Sequence, residues 1–113
     1  MTRLRYYILD ESGEPQPVDD VLVWTAWFER ASHDGSRIVK QDYAEGSVRE
    51  GVSTVFLGID HNHTLRGAPV LWESLVFGTS LDGEQQRYRS KADALRGHEE
   101  LLQRVSAAWK DEH

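Results

Sequence analysis

The apolar and polar positions of this chain change period along its length, and each period predicts an element. Residues 52–59 (Val-Ser-Thr-Val-Phe-Leu-Gly-Ile) form the longest apolar run and are rich in β-branched and aromatic side chains. That composition predicts the central strand of a sheet. Val52, Thr54 and Phe56 face one way and Ser53, Val55, Leu57 and Ile59 the other. Both faces are therefore expected to be at least partly covered, as in the middle of a sheet. Residues 70–77 predict the partner strand. Asp82-Gly83 is a hairpin signal, so residues 86–89 should pair back as a short edge strand. Residues 3–9 and 37–43 read as further strands. Residues 10–17 read as a loop, because Gly13, Pro15 and Pro17 interrupt regular structure.

Two stretches carry the helical period. The first opens at Val18-Asp19-Asp20, where Asp19 can cap the free amides and both carboxylates suit the positive helix end. Leu22 or Val23, Trp27, Phe28 and Ala31 follow at helical spacing, with Trp24 beside them. Val21, Val23 and Thr25 are poor helix formers, so a strand is the competing assignment and packing must decide. The segment Ser32-His33-Asp34-Gly35 ends it. The second helix starts after Ser90-Lys-Ala-Asp93, a variant capping box, and runs to about Trp109. Leu95, His98, Leu102, Val105 and Trp109 form its apolar stripe, flanked by Leu101 and Ala108. Residues 110–113 read as a frayed tail. The order of elements gives a two-layer α+β domain: an antiparallel sheet of four to five strands packed with two helices.

Composition narrows the classes. At 113 residues, 39% apolar and 28% charged, the chain suits one globular domain with one core. The absence of cysteine excludes a disulfide framework, thiolate metal sites and a cysteine nucleophile. No apolar run reaches the roughly 18 residues of a membrane span and no signal-like segment opens the sequence, so a cytoplasmic protein is expected. The net charge of -6 argues against general nucleic-acid binding. The P-loop, GxGxxG, GxSxG and DxDxDG patterns are all missing, and no cofactor is expected.

Three polar features stand out. Asp60-His61-Asn62-His63 could offer Asp60, His61 and His63 to a metal from an extended segment. The plain alternative is a loop held by Asx side-chain bonds. Glu73 lies within the apolar run 70–77, where it is either a general base with a raised pKa or a structural acid with a partner. Gly97-His98 sits on the stripe of the last helix. The glycine costs about 1 kcal/mol there relative to alanine, and close approach of another backbone is one reason to accept that. A buried imidazole needs a partner for its ring nitrogens, with Glu73 or Asp60 the expected one. Trp24, Trp72 and Tyr88 are candidate interface anchors.

Residues 52–61, residues 69–78, Arg87-Tyr88 and the Ala94 to His98 region together resemble a group of small uncharacterised proteins of tailed bacteriophages and prophages. The resemblance implies a mobile genetic element and a host cytoplasm, and no established activity. It also implies a polar set of Asp60, His61, Glu73 and His98, with His63 outside the pattern. The functional expectation is a non-enzymatic accessory protein that binds a host or phage macromolecule, most simply another protein. A host-defence inhibitor, such as an anti-CRISPR protein, is one subtype. The alternative is a small metal-assisted or acid-base enzyme using His61, Glu73 and His98. A third expectation is a virion or assembly component, with edge strands available for homodimerisation.

Overall fold

A computed structural model of the chain describes residues 5–64 and 66–113. Arg3 and Leu4 of the expected first strand, and Leu65 of the expected loop, lie outside them. The elements follow in the order β1 (Tyr6–Leu9), β2 (Pro15–Val18), α1 (Val21–Asp34), β3 (Ile38–Tyr43), β4 (Gly51–Phe56), β5 (Trp72–Phe77), β6 (Gln85–Tyr88) and α2 (Lys91–Glu112). This is an α+β fold with two antiparallel sheets.

The larger sheet is a meander, β3-β4-β5-β6. Its register sets Thr54 opposite Ser74, Phe56 opposite Trp72, and Glu73 opposite Arg87. Because side chains alternate between faces, Val52, Thr54, Phe56, Trp72, Ser74 and Val76 share one face, and all six are buried. Helix α2 lies on that face and is the one element whose backbone packs closely on the strands of this sheet. Ala94, Gly97, His98, Leu101 and Val105 form its buried stripe. The expected stripe was rotated at both ends: Leu95 is exposed, and Leu102 and Trp109 are partly buried. The Ser90 hydroxyl caps α2 by accepting from the Asp93 amide.

The expected frayed tail is helical through Glu112 instead. The His113 ring stacks on Trp109 at 4.5 Å, and Glu112 accepts from the Ser80 amide at 2.9 Å. His113 Nδ1 also lies 2.9 Å from the Trp109 carbonyl oxygen, one of the acceptors that a helix end leaves without a backbone partner.

The first third of the chain departs further from expectation. Residues 15–18 form a strand rather than a loop and pair with β1. Pro15 and Pro17 are two residues apart, so their missing N–H groups fall on one side, and an edge strand tolerates that. Asp20 rather than Asp19 caps α1, accepting from the Leu22 amide at 2.9 Å and the Val23 amide at 3.4 Å. Helix α1 packs its backbone on the β1-β2 hairpin, and it meets the larger sheet only through side chains. The Trp24 indole N–H ties it down by donating to the Tyr7 and Gly58 carbonyls at 3.2 and 3.0 Å. The unit reaches the main core through Tyr7, Leu9 and Trp27, which pack on Phe56, Leu71, Trp72 and Ala94. The molecule measures 51 Å along its longest axis, with a radius of gyration of 15.5 Å. A spherical domain of this length would give about 13 Å.

Candidate functional site: a buried polar seam under the last helix

The core is split in two. Val52, Val76, Ala44, Leu101 and Val105 form one cluster, and Phe56, Leu71, Trp72 and Ala94 the other. Between them a chain of polar side chains crosses all four strands of the larger sheet. Asp42 on β3 lies 2.8 Å from His98 Nε2, and His98 Nδ1 lies 2.7 Å from the Thr54 hydroxyl on β4. Thr54 Oγ1 is 2.5 Å from Ser74 Oγ on β5, and the Tyr88 hydroxyl on β6 donates to Ser74 at 3.1 Å. His98, Thr54 and Ser74 are each 0% exposed. Burial pushes the Tyr88 phenol above its ordinary pKa, against the opposing effect of its bond to Ser74.

The proton count of this chain closes. Tyr88 donates to Ser74, Ser74 can donate to Thr54, and Thr54 to His98 Nδ1. The ring proton then sits on Nε2 and is donated to Asp42. Every link has one proton and one acceptor, which is what a polar group in a low-dielectric core requires. The connectivity Asp42-His98-Thr54 resembles the acid-base-hydroxyl order of a nucleophilic triad. Neither hydroxyl reaches solvent, however, so no substrate atom can approach within bonding distance of Thr54 or Ser74 in this conformation.

The expected polar set does not converge. Glu73 shares no face with His98. Its neighbour Ser74 points toward α2, so strand alternation turns Glu73 away, where it accepts from Arg87 Nε at 2.9 Å. Asp60 is buried and organises its loop, its Oδ1 accepting from the Asn62 and Val70 amides at 2.8 and 2.9 Å. Asn62 extends the scaffold, donating to the Arg66 and Ala68 carbonyls at 2.6 and 3.1 Å. His61 Nδ1 sits 2.8 Å from the Ile59 carbonyl oxygen, and His63 is exposed. Among the described residues, the three side chains whose ligand atoms do converge are Asp42, His98 and Glu99, all within 4.8 Å of one another.

The anchor candidates are also differently placed. Trp72 is buried against Phe56 at 5.8 Å between ring centroids. Trp24 is half-buried, stacked on Phe28, and Tyr88 is half-buried at the end of the seam. The exposed apolar side chains include Val21, Leu22 and Val23 at the start of α1 and Val48 in a loop, and others lie on the sheet face that α2 leaves open. Leu75 is 42% and Tyr43 48% exposed there. Tyr43 and Phe77 meet edge-to-face at 5.9 Å, across Gly51, which pairs with both.

Asp42, Thr54 and Ser74 are not among the candidates that the sequence singles out. One signal for two of them is in the sequence: Val-Ser-Thr-Val-Phe and Trp-Glu-Ser-Leu-Val each put a small hydroxyl residue at the centre of an otherwise apolar face. No family model matches this chain, and no curated protein or solved structure matches it.

Proposed function

We propose that the protein is a non-enzymatic binding protein that docks another protein on the open face of its larger sheet. One observation carries the reading. Tyr43, Val55, Leu75 and Phe77 share that face, and among the described residues no other helix or strand packs its backbone against it. Gln41, Ser53, Gln85 and the Glu73–Arg87 pair share the face with them, giving a mixed surface on which apolar anchors are flanked by polar groups, a composition that protein interfaces use. Two aromatic rings already in contact supply a rigid anchor with little side-chain entropy left to lose. No described helix is long and apolar enough to cross a membrane. The resemblance to phage and prophage proteins supports a host or phage partner in the host cell, with inhibition of a host defence system as the sharpest version of that reading.

The test is affinity capture from host extract with the wild-type protein, Leu75→Glu, Tyr43→Ala and the opposite-side control Arg96→Glu. A partner retained by the wild type and the control but lost from both face variants is the expected result. A partner retained equally by all four proteins overturns the assignment of this face.

A further inference from the structure

We propose that Asp42, His98 Nε2 and Glu99 form a binding site for a divalent transition ion of the zinc class, and that the Lys40 ammonium is the cation the ion displaces. The argument starts from the imidazole. His98 is fully buried, and the Thr54 hydroxyl at 2.7 Å from Nδ1 fixes its ring orientation. Its Nε2 is aimed at Asp42 Oδ2, 2.8 Å away. A histidine held at one ring nitrogen by a second polar group, with the other nitrogen directed toward carboxylates, has the outer support that metal-binding histidines require.

The two carboxylates close the site on the solvent side. Asp42 and Glu99 side chains are 37% and 50% exposed, so an ion has a path in and water can complete its coordination. Both acids already converge on a positive charge. Lys40 Nζ is bonded to Glu99 and lies 3.9 Å from Asp42. Its stem is flexible and itself 41% exposed, so the ammonium can swing into water. One imidazole with two carboxylates suits zinc, manganese or ferrous iron. Calcium and magnesium prefer oxygen ligands alone.

The seam can accept this change without stranding a proton. An ion on Nε2 takes its lone pair, so the ring proton moves to Nδ1 and is donated to Thr54. Thr54 then donates to Ser74, Ser74 to Tyr88, and Tyr88 to the Gln86 side-chain oxygen, 3.2 Å away. The number of protons is the same before and after, and each hydroxyl has simply turned round. An ion at the β3 edge would therefore be reported by Tyr88 at the β6 edge.

Tag-free protein titrated with Zn²⁺ and with Co²⁺ tests this, read by calorimetry and by the visible absorption of cobalt. One ion per chain is expected. Glu99→Gln, a surface change, should weaken binding at least tenfold, and Lys40→Met should tighten it by removing the competing cation. Nitrogen NMR of His98 should show the ring proton moving from Nε2 to Nδ1 on loading. The proposal fails if binding does not saturate. It also fails if Glu99→Gln and Lys40→Met bind as the wild type does, which would assign the ion to other histidines such as His61, His63 or His113.

Discussion

Each face of the larger sheet carries an exception to the usual rule for what lies inside. Under α2, Thr54, Ser74 and His98 are removed from water altogether, while on the opposite face Leu75 and Tyr43 remain nearly half exposed. Polarity alone does not decide which group is costly where it sits. The buried hydroxyls and imidazole are each matched to a neighbour in a chain that ends at two partly exposed groups, Asp42 and Tyr88. The apolar side chains outside keep nearly half their surface in water, because no described helix or strand packs its backbone over them. The covered face thus holds small hydroxyl residues among large apolar ones, and the open face holds apolar side chains among polar ones.

The sharpest way to break this comparison is to cut the chain under the helix. His98→Ala removes a fully buried ring and strands the groups it joined, so we expect a loss of about 3–5 kcal/mol, combining a cavity with unpaired polar groups. Leu75→Glu on the open face should change stability by no more than about 0.5 kcal/mol. Urea unfolding of both variants measures the difference. Comparable losses would mean that the open face is part of the folding core and not a surface held ready for a partner.

Gly97→Ala should come next. Alanine improves helix propensity by about 1 kcal/mol. A Cβ at that position, however, would lie 2.2 Å from the Tyr88 hydroxyl oxygen and 2.4 Å from a ring carbon. The tyrosine that ends the seam must then move, and overpacking of this kind costs about 1–3 kcal/mol, so the net effect is destabilising. In thermal unfolding, Gly97→Ala should cost much less in a Tyr88→Ala background, where the clash is absent, than in the wild type. If Gly97→Ala instead raises the midpoint, the contact between Tyr88 and α2 is looser than the geometry gives.

Legibility in the sequence followed locality. The central strand, its partner, the Asp82-Gly83 turn and the Ser90 cap depend on neighbours a few residues away, and each forms close to where the pattern predicts. The β1-β2 hairpin was hidden because two prolines argue against a strand unless it lies on an edge, and edge position is a tertiary fact. That His98 would be buried followed from its place on a helical stripe. Its partner did not, because Asp42 lies 56 residues away on β3, and the register that brings it there involves a shift between Ile38 and Lys40. Glu73, with Asp60 one of the two expected partners of His98, lies on the other face by the parity of its own strand.

The smallest effect expected belongs to a polar network that is wholly in water. Asp10 Oδ1 accepts from the Ser12 amide at 2.9 Å, the Ser12 hydroxyl at 2.7 Å and the Glu14 amide at 2.9 Å, closing the turn between β1 and β2. These bonds, the Ser12 hydroxyl first, lower its pKa from 3.8 to about 2. The folded value lies below the unfolded one, so the stabilisation is fully present above about pH 4 and is lost as the pH falls through about 2. Carboxyl-carbon NMR should give Asp10 a midpoint near 2. Asp10→Asn should speed hydrogen exchange of the hairpin amides while leaving the global unfolding midpoint almost unchanged, since the network is exposed and orders only its own turn. A global shift approaching that of His98→Ala would show that the hairpin is coupled to the core far more tightly than its side contacts through Tyr7, Leu9 and Trp27 imply, and the division between buried and exposed polar groups would no longer separate large effects from small ones.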